Sequence, residues 1–275
     1  MAVLDLVMVK DSAMVELLKW YVDAGVDCVL DNSPCNRLID KPAPRRPAQT
    51  NNNAKGITEV NKKASTSELL SREASFQTAR ESADSAASLD ELKAAISRFE
   101  GCPLKFTAKN LVFGSGAVSS DLMIIGEAPG AEEDRQGIPF VGPAGQLLDK
   151  MLNAIDLTRD LVYVTNILPW RPPGNRPPTD TEISACLPFI KRHIVLVRPK
   201  ILLMLGGTSA KTLLGTTEGI MRLRGKWKNY NSEEIGSPIA ARALLHPAFL
   251  LRQPEQKRET WLDLLEIRAK LQSLR

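Results

Sequence analysis

Residues 122–130 read LMIIGEAPG: four apolar residues, Leu122 to Ile125, run into a turn built from Gly126, Pro129 and Gly130. A short apolar run bounded by such a turn fits a strand buried on both faces. Three more runs of this kind follow, Val162–Ile167, Ile201–Leu205 and Ala240–Leu245, and helical patterns separate or follow them at Gly145–Ile155, Thr181–Val197, Ser209–Leu214 and Gln256–Leu274. Strands alternating with helices imply right-handed crossovers and a parallel sheet covered on both faces, so the fold class expected is α/β with four parallel strands. Ligands of such sheets bind beyond the carboxyl ends of the strands, which directs attention to the loop after each run.

The chain before this region has a different character. Val15 to Val22 reads as a helix carrying Leu17, Leu18, Tyr21 and Val22, and it breaks near Asp31 to Pro34. From Lys41 to about Ser88 aromatic and β-branched residues are scarce, too few to offset chain entropy by burial. That segment is expected to be a flexible linker with at most transient helix. Order resumes at Leu89, where Asp90 and Glu91 open a helix with Leu92, Ala95, Ile96 and Phe99 on one face. The expected organisation is an N-terminal helical segment at 1–40, a linker at 41–88 and a compact domain at 89–275.

With 43% hydrophobic and 25% charged residues, the 275-residue chain falls among ordinary globular proteins rather than collagen-like or disordered ones. Its net charge of +4 is compatible with nucleic acid but equally common in proteins that never bind it. No apolar run approaches the roughly 20 residues of a membrane span. Asp5 and Lys10 also stand where a signal peptide would be apolar, so the expected location is the cytoplasm. There, four cysteines point to packing, metal or redox roles before disulfides.

Each strand end offers chemistry with a plainer alternative. After the first run, Glu127, Glu132, Glu133 and Asp134 line a loop whose glycines admit close backbone approach, or else they are solvated acids on a turn. Phe140, in a loop between Pro139 and Gly142, is either a core anchor or a platform on which a base stacks. Asn166 ends the second run; it either reads a base edge with its donor and acceptor, or caps a turn. Arg171 and Arg176, among prolines, suit phosphates or simply face water. At Gly206, Gly207, Thr208 and Ser209 a helix start can hold phosphate. His246, at the end of the fourth run beside Pro247, either stabilises negative charge on a departing base or is an unremarkable lone histidine, whereas His193 lies inside a helix and reads as structural or solvated.

Taken in order, GEAPG with its downstream acids, PFVG-AGQLL from Pro139 to Leu148, VYVTN followed by RPPGNR, and HPA resemble the family-4 uracil-DNA glycosylases of the thermophile and alphaproteobacterial type. The likeness spans about Asn110 to Leu265. It implies a three-layer fold with a four-stranded parallel sheet between helices, acting on uracil-containing DNA. It further implies that Glu127 and Ala128 line the uracil pocket, Phe140 stacks on the flipped base, Asn166 pairs with its edge and His246 contacts the charge developing on uracil O2. Glu133 would position water or guard against thymine's methyl group. The segment around His246 to Arg252 would press into the DNA near the vacated base. No lysine occupies a motif position, which implies hydrolysis to an abasic site without strand cleavage. The implied protein is a monomer, with the N-terminal helix free to meet a repair or replication partner.

The resemblance also brings a departure. Family members usually hold a four-iron four-sulfur cluster on four cysteines, but here Phe99 and Trp170 stand at two ligand positions, leaving Cys102 and Cys186. Two thiolates cannot ligate such a cluster. Cys28 and Cys35 are distant along the chain, so no cofactor is expected. Three rival readings are a DNA-binding module without turnover, a glycosylase for another deaminated base such as hypoxanthine, and a general nucleotide-binding protein. Asn166 argues against the second, and the lack of a phosphate loop ending in Lys-Ser/Thr argues against the third.

Overall fold

The computed structural model describes residues 73–274. The expected N-terminal helix, Cys28, Cys35 and most of the expected linker lie outside the described residues. The end of that linker is corrected: residues 73–84 form a helix (α1), and Ala79, Ala83 and Ala86 are buried in the core beside Leu92 and Ile96. Alanine contributes little to a hydrophobic pattern, yet its small side chain lets helices pack closely, so a docked helix of this composition reads as linker. Arg192 fastens the turn after α1 by donating from Nε to the carbonyl of Ala86 at 2.8 Å.

The next helix, α2 (Leu89–Arg98), is capped by Ser88, whose hydroxyl accepts from the Glu91 amide at 3.2 Å. The elements that follow are β1 (Ser115–Gly116), β2 (Leu122–Gly126), α3 (Ala131–Gln136), α4 (Pro143–Asn153), β3 (Tyr163–Asn166) and α5 (Asp180–Val197). Beyond these lie β4 (Ile201–Leu205), α6 (Gly207–Leu214), α7 (Ile220–Leu223), β5 (Trp227–Tyr230), β6 (Ile239–Leu244), α8 (Pro247–Arg252) and α9 (Lys257–Ser273).

The six strands form one sheet in the order β1-β3-β2-β4-β6-β5. Its centre is the expected parallel set, β3, β2, β4 and β6. Two antiparallel edge strands enlarge it, β1 beside β3 and β5 beside β6, so the sheet is mixed and six-stranded rather than four-stranded. Neither edge is legible as a strand: β1 is only Ser-Gly, and β5 is Trp-Lys-Asn-Tyr with its two middle residues exposed.

Alternation along the strands supplies two cores. Met123, Ile125, Leu202, Met204, Ala241 and Ala243 face one side with Leu92, Phe189 and Ile194. Leu122, Ile124, Val164, Leu203 and Leu244 face the other with Leu148, Leu152, Leu264 and Ile267. The C-terminal helix is further tied by a buried ion cluster. Asp263 accepts from Arg242 at 2.9 Å and from Arg224 at 2.7 Å, while the Arg242 guanidinium lies 5.2 Å from the Trp227 ring centre. His193 is buried too, stacked 4.5 Å from Phe113 and bonded through Nε2 to the Tyr163 hydroxyl at 2.8 Å; burial lowers its pKa to about 3.

The chain leaves β2 toward β3 on one side and then crosses to β4 on the other. A crevice therefore opens at the carboxyl ends of β2 and β4, where the connections diverge.

Candidate active site

A cavity of about 520 Å³ occupies that crevice. Its walls come from the ends of all four parallel strands: Glu127, Ala128 and Glu133 after β2, Asn166 at the end of β3, Gly206 and Gly207 after β4, and His246, Ala248 and Phe249 after β6. Phe140 closes one side.

Asn166 is 5% exposed, and its Oδ1 has no hydrogen-bond partner among the described residues. Leaving a buried acceptor unpaired costs about 1–3 kcal/mol, a debt that a ligand's N–H cancels. Gly126 makes room for it, since a Cβ there would lie 2.4 Å from Asn166 Oδ1 and 2.6 Å from Phe140 Cζ. The Phe140 backbone has φ of +55°, a left-handed value a phenylalanine adopts only under constraint. Its carbonyl accepts from Arg159 Nη2 at 2.5 Å, and its ring stands 5.8 Å from that of His246 at an interplanar angle of 30°.

His246 caps α8. Its Nδ1 accepts from the Ala248 amide at 3.1 Å, which leaves the neutral ring's proton on Nε2. Burial, helped by the positive charge of Arg252 and opposed by Glu133, lowers its pKa to about 4. At neutral pH the ring is therefore an uncharged N–H donor.

The two acids divide in character. Glu133 is buried, with Oε2 accepting from the Gly130 amide at 3.1 Å and Oε1 from the Gly142 amide at 2.8 Å. Both oxygens are engaged in stapling the loop after β2 to the start of α4, an arrangement neither expectation for this residue included. Glu127 lines the cavity half-buried; its backbone carbonyl accepts from the Leu168 amide at 3.0 Å, and its carboxylate has no hydrogen bond among the described residues.

Several expected DNA contacts take other positions. Ser209 is fully buried and donates to the Leu205 carbonyl at 2.8 Å, so its hydroxyl serves the first turn of α6 and cannot reach a phosphate. Pro247 is buried at the start of α8. Arg176 lines the cavity but makes two bonds to Glu182, at 2.9 and 2.6 Å, which raise its pKa and lower that of Glu182. Arg171 donates from Nε to Asn175 at 2.8 Å. Gly207 and Thr208 are partly exposed at the start of α6, and Arg252 is exposed at the cavity rim. Gly206, expected at a phosphate-holding helix start, lines the cavity, whereas Arg159 carried no local signal in the sequence.

Two of the four cluster positions implied by the resemblance, Phe99 and Trp170, hold aromatic side chains rather than metal ligands. Cys102 and Cys186 are buried together, and the adjacent Cys102, with burial, pushes the Cys186 thiol up. Phe99 and Trp170 are buried in the same core, Phe99 edge-on to Phe189 at 5.0 Å. Among the described residues no group of three or more His, Cys, Asp or Glu side chains is placed to hold a metal ion.

The sequence model of the uracil DNA glycosylase superfamily matches residues 113–265. The type-4 uracil-DNA glycosylase of Archaeoglobus fulgidus is 37% identical over 184 residues, which is 66% of this chain and 92% of that protein. That of Pyrobaculum aerophilum is 39% identical over 178 residues, 64% and 91% of the two. This chain belongs to the type-4 uracil-DNA glycosylases. The matched region contains each cavity residue described above. No helix of the described residues is long and apolar enough to cross a membrane.

Proposed function

We propose that the chain excises uracil from DNA, and the unpaired, buried Oδ1 of Asn166 is the observation that carries the reading. Uracil presents N3–H and O4 side by side. Asn166 accepts from the first through Oδ1 and donates to the second through Nδ2, whereas cytosine presents the opposite pattern. A base within a duplex cannot reach a cavity at the strand ends, so it leaves the stack at a cost of a few kcal/mol. Stacking on Phe140 returns about 1–3 kcal/mol of it.

The bond between N1 and C1′ then breaks with its electron pair moving onto the uracil ring and toward O2. The Nε2–H of His246 donates to that oxygen, and because the imidazole stays neutral it stabilises charge without giving up its proton. Water adds to C1′ and releases a proton, leaving free uracil and an abasic sugar. Glu127 holds that water, being the cavity carboxylate whose oxygens are free of backbone amides; Glu133 keeps the loops in register. Arg252, Gly207 and Thr208 meet phosphates, and α8 with exposed Leu251 and Arg252 enters the duplex beside the vacated base. The chain acts as a monomer, and its N-terminal segment meets a repair or replication partner.

Excision proceeds without an iron–sulfur cluster, because Phe99 and Trp170 replace two thiolates with packed apolar bulk. The test of the activity is excision from a labelled oligonucleotide containing one uracil, followed by alkali. Release that collapses in Asn166→Ala and His246→Ala and spares thymine supports the reading. Binding without release across salt and pH would leave a DNA-binding module instead.

A further inference from the structure

We infer that Arg159 is a positioning residue for base stacking, an assignment that rests on the proposed excision of uracil. Phe140 has a positive φ of +55°; among the described cavity residues other than glycine only Asn175, at +56°, shares that region, and asparagine tolerates it where phenylalanine does not. A bulky residue keeps that conformation only where its surroundings over-determine it. Two constraints are visible. Gly145, in the first turn of α4, packs so tightly that a Cβ there would fall 1.7 Å from the Phe140 carbonyl oxygen. The Arg159 guanidinium supplies the other, donating from Nη2 to that same carbonyl and from Nε to Asp149 on α4. Arg159 lies just ahead of β3 and Asp149 on α4, so one planar group ties the start of β3, the α4 surface and the strained peptide together.

The carbonyl and the ring of Phe140 are linked through a single Cα. Fixing the first in the left-handed conformation places the second against Gly126 and parallel to within 30° of the His246 ring. Arg159 is 29% exposed and lines none of the cavity, so it acts on the flipped base only through Phe140. When the guanidinium is removed, the peptide relaxes toward negative φ and the ring swings off the wall on which uracil stacks.

A double-mutant cycle tests this. Arg159→Ala is expected to lower single-turnover excision about 10- to 100-fold and to weaken inhibition by free uracil, because a misplacement of about 1 Å at a reacting centre costs about that much. In a Phe140→Ala background the same change should alter the rate less than about 2-fold. Arg159→Lys, which keeps a single donor nitrogen in place of the two-nitrogen fork, should recover part of the loss, with melting temperatures recorded for every variant. Two independent, multiplying losses from Arg159→Ala and Phe140→Ala would overturn the assignment. A second measurement does not depend on turnover: the 13Cα and 13Cβ shifts of Phe140 report its φ. Left-handed shifts retained in Arg159→Ala would also overturn the inference, whereas failure of the wild-type protein to release uracil would instead overturn the functional reading beneath it.

Discussion

The neutral imidazole of His246 makes a demanding prediction about pH. Its pKa of about 4, against 6.5 for an ordinary histidine, reflects burial first and the Arg252 charge second. At about pH 5 an imidazole with the lower value is about 90% neutral, whereas an ordinary one is about 3% neutral. If the neutral form is the working donor, single-turnover excision should change by less than about 1.5-fold between about pH 7.5 and about pH 5; a donor titrating normally would show a roughly 30-fold change. Stability moves over the same range and must be followed in parallel. The folded histidine takes up its proton only near pH 4 while the unfolded one does so near 6.5, so the stabilisation is complete above 6.5 and is lost as pH falls toward 4. His193, lowered to about 3, acts in the same direction. The assay is therefore quenched-flow or manual single-turnover excision at each pH, with a melting curve at each point to exclude unfolding. His246→Ala should lower the rate about 100- to 1000-fold at every pH. An acid limb with a midpoint near 6.5 in the wild-type protein, absent from His246→Ala, would refute the neutral-donor argument.

Further outcomes follow from other contacts. Gly126→Ala should abolish most excision while the protein stays folded, because the added Cβ meets both Asn166 Oδ1 and the Phe140 ring; unchanged activity beside an unchanged circular dichroism spectrum would contradict the packing described. Asp263→Ala leaves the Arg242 and Arg224 guanidinium groups buried without their shared carboxylate and should cost about 3–5 kcal/mol in guanidinium unfolding. The protein as isolated should be colourless near about 400 nm, while Phe99→Cys with Trp170→Cys, reconstituted with iron and sulfide, should gain that absorbance; about four irons per wild-type chain would reverse the argument for loss. Phe99→Ala should destabilise by about 3–5 kcal/mol, read from the same unfolding curves, since its ring packs on Phe189 rather than lining a metal site.

The sequence by itself determined the centre of this protein. Apolar runs of strand length alternating with helical patterns leave little choice but a parallel sheet with helices on both faces, and β2, β3, β4 and β6 follow those runs closely. Their carboxyl ends carry Glu127, Asn166 and His246, three of the side chains that line the cavity, and all three are legible in the sequence. Local chemistry determines such features: burial needs apolar residues at fixed spacing, and a turn needs glycine or proline. What only the tertiary structure decided is which polar groups are already spoken for. Glu133 and Glu127 look alike in sequence, yet one is engaged by two backbone amides; Arg176 and Arg252 look alike, yet one is paired with Glu182; Ser209 looks available and is buried. Arg159 lies 19 residues from the carbonyl it holds, and α1 packs through alanines that carry no pattern. Partnerships of this kind depend on three-dimensional proximity between segments far apart along the chain, and no period or spacing in one sequence encodes it.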